Sequence, residues 1–508
     1  MKEIKKIVVI GGGTAGWATA HQFLNKSSSQ TKVIVVSTKE IPIIGVGEST
    51  TGAFRDLINL PNNITNTSEV EFLKETKSTF KIGIKHSNWH TVGQHFYSPL
   101  GDDYHNDTNF PIFNYDDYRV FHIANDLNYN NSFQSSLMDE NRLPIINNQF
   151  IQNNSIAYHL DTYKVGQYLK RKALKIKDRC SYIEGKVVDT ILDTNGYLTD
   201  VIIENGQKVS GDLFIDCSGF SKLLMNKFNN KWISYKDNLL VNRAMPFYVE
   251  NKEEEPIRNY THAWAQKNGW MWEIPTQERL GCGYVYSDNH TTREKAQKEI
   301  EKVLGHKIEP LNDIKFEAGR FNKFWIKNVL STGLSSAFVE PLEATSIHAT
   351  TVQITHFIEN YFKYKMPFEC EELQNQYNKE MVSMWDDIRD FIVYHYITPR
   401  KDTKFWIDAS DKKRRSEELN SMIEIWKHRM PRTVDYNKRG TGNFHSLGNT
   451  LWYHIGIGMK NFSSSVAKQE LIDYNLYEHN ENKYQYIKNK IQETVPKCVN
   501  GKKYYENL

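Results

Sequence analysis

Two carboxylates, a proline and two hydroxyl side chains occur within one short stretch, Glu340-Pro341-Leu342-Glu343-Ala344-Thr345-Ser346. The stretch follows the small and apolar run Gly333–Val339 and leads into a helical pattern. A positioned glutamate can act as a general base, and a neutral lysine can act as an amine nucleophile. We expect Glu343 and a distant lysine, Lys85, to form the reacting pair of a candidate catalytic site.

Lys85 belongs to a stretch, Phe80–Trp89, that alternates like a β-strand. On one continuous strand, Lys81, Gly83 and Lys85 would share one face and Ile82, Ile84 and His86 the other. A lysine between apolar strand residues is unusual, but two solvent-facing lysines on an edge strand would give the same pattern.

Composition limits the classes of protein to which the chain can belong. It has 508 residues, 25% of them charged and 39% hydrophobic, with a formal net charge of +3, so we expect a globular protein and no nucleic-acid partner. Its five scattered cysteines predict free thiols. The apolar run near the N-terminus is too short for a membrane span or a signal segment, so we expect a cytoplasmic protein without a membrane partner. The length and aromatic content are compatible with a homo-oligomer.

The N-terminus predicts a dinucleotide-binding β-α-β unit. An apolar strand, Ile7–Ile10, leads into Gly11-Gly12-Gly13-Thr14-Ala15-Gly16, and a second strand ends near Ser37. In this pattern the first glycine permits a tight turn, the second lets backbone approach a pyrophosphate, and the third permits close helix packing. The acid expected after the second strand is missing, since Glu40 comes slightly late. This departure weighs against NAD.

Later segments complete a predicted α/β fold. Gly45–Ser49 is a second glycine-rich turn, Val187–Leu192 and Tyr197–Glu204 predict a hairpin, and Asp212–Gly219 predicts a buried strand that ends in small residues. We expect a Rossmann-like, FAD-binding body with a β-sheet substrate layer over 1–356, with an irregular insertion at about 102–154. A mainly helical substrate-side region is expected over 357–508. His86, His90, His95 and His105 lack accompanying ligands at metal spacing, so no metal site is expected.

These residues together resemble the flavin-dependent halogenases of the tryptophan-halogenase type. The resemblance rests on the following stretches: GGGTAGW at 11–17, GVGES at 45–49, FKIGIKHSNW at 80–89, DLFIDCSGF at 212–220, GWMWEIP at 269–275, GLSSAFVEPLEATSIH at 333–348 and the region 390–406. The matches extend over most of the chain, and the lysine strand, the W-x-W-x-I-P piece and the E-x-T piece are specific in combination.

The resemblance implies a role for each matching residue. It implies that Lys85 and Glu343 are catalytic and that Thr345 and Ser346 hold a halide through backbone amides. It places Trp270 and Trp272 between substrate and flavin, with His395 on the substrate side. The implied FAD contacts are Gly11, Gly13, Thr14, Ala15, Gly16, Ser37, Gly47, Glu48, Ser49, Val187, Gly333, Leu334 and Ile347.

The implied reaction uses FADH2 from a separate flavin reductase, O2 and a halide ion. Halide is oxidised to hypohalous acid near the flavin, and the oxidant passes through a tunnel to Lys85, which either hydrogen-bonds it or becomes a haloamine. Glu343 polarises the oxidant or removes the proton from the halogenated arene. An indole or phenol-like substrate is expected.

Two departures from the family pattern concern the substrate and the halide. Ser346 stands where free-tryptophan halogenases usually have glycine, as in a broader branch of the family. The stretch Asn443–Met459 lacks the paired tyrosines and acidic cluster that hold the amino-acid backbone of tryptophan. We therefore expect a less polar aromatic substrate, with bromide or iodide competing with chloride.

Other functions fit the sequence less well. A flavin-dependent aromatic hydroxylase is the alternative enzyme, but it needs neither Lys85 nor Glu343. An NAD(P) dehydrogenase would have an acid at the end of the second strand and a second nucleotide motif, and this sequence has neither. A flavin-binding protein without catalytic activity would not need to keep Lys85, Glu343 and both tryptophans.

Overall fold

The computed structural model describes residues 1–39, 47–60, 62–101, 117–128, 130, 132–151, 156–436 and 449–508. The chain forms two compact units of three segments each. The first unit comprises Met1–Ser78, Leu160–Tyr235 and Glu317–Asp386, and the second comprises Thr79–His159, Lys236–Phe316 and Asp387–Leu508. The sequence-based division after residue 356 stays a prediction.

A six-stranded, mostly parallel sheet organises the first unit. Its strands, in spatial order, are Cys180–Glu184, Lys32–Ser37, Lys6–Ile10, Leu213–Asp216, Val329–Ser331 and Trp325–Ile326, the last of which is antiparallel to its neighbour. The central strands are continuous apolar runs because both faces of such a sheet are covered. The predicted β-α-β unit is confirmed by the parallel pairing of Lys6–Ile10 with Lys32–Ser37 around the helix Thr14–Lys26.

The remaining elements of this unit surround that sheet. The predicted hairpin is part of a three-stranded meander, Val187–Leu192, Leu198–Ile203 and Lys208–Ser210. Smaller pairings join Trp232–Ser234, Gly319–Phe321 and Ala337–Phe338, and also Lys2–Glu3 with Lys365–Met366. The helices are Thr14–Lys26, Gly52–Ile58, Glu69–Thr76, Thr162–Leu174, Thr345–Asn360 and the start of Glu371–His395.

A seven-stranded sheet organises the second unit. Its strands, in spatial order, are Ile314–Lys315, Arg243–Glu250, Arg279–Tyr286, Gly269–Pro275, Tyr260–Ala265, Gly83–Ser87 and His95–Pro99. All neighbours are antiparallel except Tyr260–Ala265 and Gly83–Ser87. Short pairings join Thr79–Lys81 with Ala157–Leu160, Ile145–Ile146 with Gln149–Phe150, and Arg142–Leu143 with Val499–Asn500.

Helices dominate the C-terminal part of this unit, as predicted. They are the end of Glu371–His395 and Lys404–Ala409, Glu417–Trp426, Thr433–Tyr436, Asn449–Gly458, Ser464–Asp473, Tyr477–Thr494 and Gly501–Glu506, with Arg293–Leu304 earlier in the chain. Between the helices Ser464–Asp473 and Tyr477–Thr494, Asn475 adopts a positive φ of 55°. Among the described residues, no helix has the length and apolar content that crossing a membrane requires.

The predicted insertion at 102–154 is not irregular where the structure describes it. It contains the helices Asp117–Ala124 and Phe133–Asp139 and several short strands. Val120, Phe121 and Ile123 pack in one buried cluster with Met430 and Tyr453. The abundance of asparagine in the sequence obscured this apolar contact surface, which forms only with distant residues. His105 lies outside the described residues.

Candidate active site

The glycine loop of the first unit has the geometry of a phosphate cradle. Gly11 has a φ of +120°, and a Cβ there would lie 2.1 Å from the Cys217 carbonyl oxygen. A Cβ on Gly16 would lie 2.0 Å from the Gly11 carbonyl oxygen, so both positions exclude a side chain. Gly13 has no neighbouring atom within 4 Å of its Cβ position, and it precedes the helix Thr14–Lys26. A dinucleotide pyrophosphate fits this open position at a helix N-terminus.

Other predicted flavin residues lie around the same loop. A Cβ on Gly12 would be 2.3 Å from Ser37 Oγ, so the serine faces the loop. Gly333 has a φ of +68°, and its Cβ position is 3.1 Å from the Ala15 side chain. Gly333 and Leu334 form a 3-10 turn after the strand Val329–Ser331. The predicted N-terminal and late glycine segments therefore meet in this unit. Glu40, the late acid, lies outside the described residues.

Val187 occupies a different kind of position from the loop residues. It begins the meander, and its side chain is buried in the apolar cluster that contains Val8, Ile10 and Val36. Only its backbone is therefore suited to a cofactor contact.

We expect Gly13→Val to weaken FAD binding at least about 100-fold, which corresponds to about 2.7 kcal/mol, because two methyl groups would occupy the phosphate approach. The φ of −77° at Gly13 suits valine, so unfolding of the FAD-free protein should change by less than about 0.5 kcal/mol. Titration with FAD, followed by flavin fluorescence, measures the loss. Gly166→Val is the matched control, since Gly166 also has open space at its Cβ position; equal loss of affinity in both variants would contradict the prediction.

The stretch that carries Glu343 has a strained backbone. Glu343 and Ala344 adopt consecutive left-handed conformations, with φ of 63° and 57°. Such conformations are uncommon for residues other than glycine and are found most often at functional sites. Ala344 is the N-cap of the helix Thr345–Asn360 and its side chain accepts no hydrogen bond there. The first turn, which contains Thr345, Ser346 and Ile347, therefore lacks a side-chain N-cap.

The segment around Glu48–Ser49 packs against the turn that contains Glu343, within the same unit. The strand Glu48–Ser49 contacts Leu342–Ala344, and Thr51 Oγ1 lies 2.8 Å from His348 Nδ1. Burial raises the pKa of Glu48 to about 7. The family resemblance implies FAD contacts at Gly47, Glu48 and Ser49, but the sequence did not predict the raised pKa of Glu48, which depends on burial by distant residues.

In the second unit, the predicted lysine strand is broken at Ile82. Thr79–Lys81 pairs with Ala157–His159, whereas Gly83–Ser87 pairs with the seven-stranded sheet. Lys81 and Lys85 therefore lie on different strands and not on one continuous face, which corrects the sequence-based expectation. Lys81 is 0% exposed and Lys85 is half-buried.

Lys85 lies between two tyrosines. Its Nζ is 5.5 Å from the ring centroid of Tyr97 and 5.9 Å from that of Tyr260. Burial lowers the pKa of Lys85, partly offset by the carboxylate of Asp139, whereas Arg258 lowers it further. This direction means only that Lys85 loses its proton more readily than an exposed lysine does.

The two tryptophans lie on the opposite sheet face from Lys85. Residues that are directly opposite each other in a sheet project from the same face. Lys85 is opposite His262, and His262 is opposite Glu273. Trp272 and its period-two neighbour Trp270 project from the other face. Within this sheet, therefore, Lys85 is not on the tryptophan face.

The tryptophan face carries an aromatic cluster. Trp270 and Trp272 are buried, with ring centroids 6.3 Å apart. Trp89 lies 6.3 Å from Trp270 and 5.9 Å from His395, again between ring centroids. His395 Nδ1 lies 2.8 Å from the Phe391 carbonyl oxygen, which fixes the orientation of the imidazole ring. The structure thus brings His395 and the tryptophans together in one cluster, and their role on the substrate side stays a prediction.

Comparison with known proteins gives concordant results. The sequence profile of the tryptophan halogenase family matches residues 6–470. A tryptophan 6-halogenase of Streptomyces albogriseolus is 32% identical over 88% of this chain and 87% of its own length, and a tryptophan 7-halogenase of Lentzea aerocolonigenes is 32% identical over 89% and 87%. A solved tryptophan C-6 flavin-dependent halogenase (chlorinase) from taromycin biosynthesis superimposes with a TM-score of 0.88 at 29% identity, over 99% of both chains. The chain is therefore an enzyme of the tryptophan halogenase family, whose members are flavin-dependent halogenases.

Proposed function

We propose that this enzyme is a two-component halogenase that uses FADH2 from a separate flavin reductase, O2 and a halide to halogenate a small aromatic substrate. The observation that carries the proposal lies in the first unit. There, an open phosphate position at Gly13 and a helix start without a side-chain cap at Thr345 occur together in one compact body. Bound reduced flavin, with O2, supplies the oxidising equivalent that turns halide into hypohalous acid.

The halide is proposed to bind at the start of the helix Thr345–Asn360. Backbone N–H groups in the first turn of a helix attract anions, and the helix dipole adds to this attraction. The Thr345 hydroxyl donates to the carbonyl oxygens of Glu340 and Leu342, at 3.5 and 3.4 Å. Because the hydroxyl is oriented toward these carbonyls, the backbone amides of Thr345 and Ser346 are the proposed halide donors.

Glu343 is proposed to remove the proton that the arene loses, or to polarise the oxidant. Glu343 has a left-handed backbone and lies two residues before Thr345, the first residue of the helix Thr345–Asn360. A carboxylate also favours the developing positive charge of a halogenated arene.

Two lysines, Lys81 and Lys85, are candidates for the amine that receives the oxidant. The family resemblance assigns Lys85, and this assignment stays a prediction. Two observations favour Lys81 over Lys85. Lys81 is wholly buried, so an oxidant held at its amine would be kept away from bulk water. Lys85 lies on the sheet face away from Trp270 and Trp272. We therefore propose Lys81 as the stronger candidate for the amine.

The aromatic cluster around Trp270, Trp272 and His395 supports an aromatic substrate. Flat aromatic walls bind aromatic rings in stacked or edge-to-face arrangements. The named relatives act on tryptophan, but Ser346 and the lack of a paired-tyrosine clamp support a less polar indole or phenol, with bromide or iodide competing with chloride. Part of the stretch that supports this choice, 443–448, lies outside the described residues.

The test is a turnover assay with photochemically or enzymatically reduced FAD, O2 and chloride, bromide or iodide. Mass spectrometry of a panel of indoles, phenols and free tryptophan identifies the products. We expect halogenated product without hydroxylated product. A hydroxylated arene whose formation does not require halide would instead support the flavin-dependent aromatic monooxygenase, the alternative to a halogenase.

A further inference from the structure

The sheet face that carries Lys85 also carries a chain of hydrogen bonds from a serine to a glutamate. Ser87 Oγ lies 2.8 Å from His262 Nε2, and His262 Nδ1 lies 2.7 Å from Glu273 Oε2. These are the contacts that relate nucleophile, base and orienting carboxylate in serine hydrolases. All three residues belong to the second unit.

The protonation states along this chain are fixed by its charges. Burial opposes ionisation of Glu273, but the hydrogen bond from His262 and the charge of Arg258, whose Nη1 is 2.8 Å away, lower its pKa to about 2. The ionised carboxylate can only accept, so His262 Nδ1 carries the proton. Burial, Arg258 and Lys85 together keep the pKa of His262 below its usual value, against the opposing effect of Glu273. Nε2 is therefore a free base that accepts the Ser87 proton.

Neighbouring groups supply the other parts of an acyl-transfer site. Lys85 precedes Ser87 by two residues on the same strand and face, about 7 Å along the strand. Its ammonium can stabilise negative charge that develops on a carbonyl oxygen. Trp264 stacks on His262, with ring centroids 5.2 Å apart and an angle of 19° between planes. Trp264, Tyr260 and Ser87 are all partly exposed, so a small apolar acyl group can reach the serine.

A second series of hydrogen bonds from a serine through a histidine to a carboxylate shows that access to the serine is the feature that differs. Ser287 Oγ lies 2.8 Å from His290 Nδ1, and His290 Nε2 lies 3.0 Å from Asp408 Oδ2. Ser287 is 0% exposed, so no substrate can reach its hydroxyl. The two chains share their hydrogen-bond pattern but differ in access to the nucleophile.

We propose that Ser87 is the nucleophile of a second active site, which transfers acyl groups from small aromatic or apolar esters. Ser87 Oγ bonds to the ester carbonyl carbon while its proton moves to His262 Nε2. The carbon–oxygen bond to the leaving alcohol then breaks, and the alcohol takes that proton. Water releases the acyl group by the same route. This site is independent of the proposed halogenation chemistry, because it uses neither flavin nor halide.

The test uses an alkyl fluorophosphonate as the probe and the full-length FAD-loaded enzyme. Serine oxygen bonds to phosphorus and fluoride leaves, so the adduct is located by intact mass and peptide mapping. We expect one adduct, on Ser87, and hydrolysis of 4-nitrophenyl acetate that the adduct blocks. Ser87→Ala should abolish labelling and Ser287→Ala should not change it. His262→Asn should slow labelling at least about 100-fold.

The pH dependence of labelling tests the proposal without any substitution. The rate should rise with pH as His262 loses its proton and then level off, with a midpoint below about pH 6.5, the usual pKa of histidine, because burial lowers the pKa of this imidazole. Absence of labelling, labelling only at other residues such as Lys85, or equal labelling of Ser87→Ala would overturn the proposal. Halogenation by Ser87→Ala should match that of the unaltered enzyme, so failure of one proposal is distinguishable from failure of the other.

Discussion

Methionine in place of Lys81 is expected to lower the yield of halogenated product at least about 100-fold, because a positioned group in proton transfer or oxidant capture contributes about that much. Lys85→Met should lower it less than about threefold, or about 0.6 kcal/mol. Methionine keeps most of the side-chain length and apolar volume of lysine at both positions, so the two variants form a matched pair. Product is measured by mass spectrometry at saturating halide.

Both lysine variants need a control for the flavin half of the reaction. FAD affinity and the release of hypohalous acid, trapped with a chlorinated cyclic dione, should stay near those of the unaltered enzyme. If Lys85→Met loses the product and Lys81→Met keeps it, the assignment from family resemblance is restored and our preference for the buried lysine is wrong. If both variants keep the yield of halogenated product, neither Lys81 nor Lys85 supplies a reacting amine.

Glu343→Gln should reduce arene halogenation at least about 100-fold, since the amide can neither accept a proton nor stabilise a cation as the carboxylate does. Glutamine has nearly the same shape as glutamate and no greater difficulty in adopting the left-handed backbone at this position. The unfolding free energy should therefore change by less than about 0.5 kcal/mol. FAD binding should be unchanged. Glu343→Asp, which keeps the charge but shortens the side chain, should retain an intermediate rate.

Comparing the effect of Glu343→Gln on two substrates gives a second test of the role of Glu343. The halogenated cation formed from a phenol can give its O–H proton to water, a route that an arene without a hydroxyl group lacks. Glu343→Gln should therefore slow halogenation of the phenol less. Equal activity of Glu343→Gln and the unaltered enzyme on both substrates would remove this glutamate from the mechanism.

Short-range patterns were sufficient to predict the local structure of the glycine loop in the first unit. The turn at Gly11, the open position at Gly13 and the helix that follows are all encoded within about fifteen neighbouring residues. The meander at Val187 could likewise be predicted from its Asn-Gly turn. These predictions succeeded because local steric rules alone determine such elements.

Two features of the site could not be predicted from spacing. The break at Ile82 arises because Thr79–Lys81 and Gly83–Ser87 pair with different, distant strands. Two lysines four residues apart therefore look equivalent in sequence although the fold separates them. The left-handed pair at Glu343 and Ala344 also contradicts local preference, since neither residue favours a positive φ. Long-range packing must hold both conformations.

The three-segment composition of each unit bears on how the protein is made. A ribosome releases the chain from the N-terminus onward, so the first unit lacks its last segment until Asp386 has left the exit tunnel. The parallel sheet at its centre likewise waits for Val329–Ser331. Nascent chains will therefore expose apolar strands for most of translation, and chaperone supply during expression should influence yield more strongly than the thermal stability of the finished enzyme does.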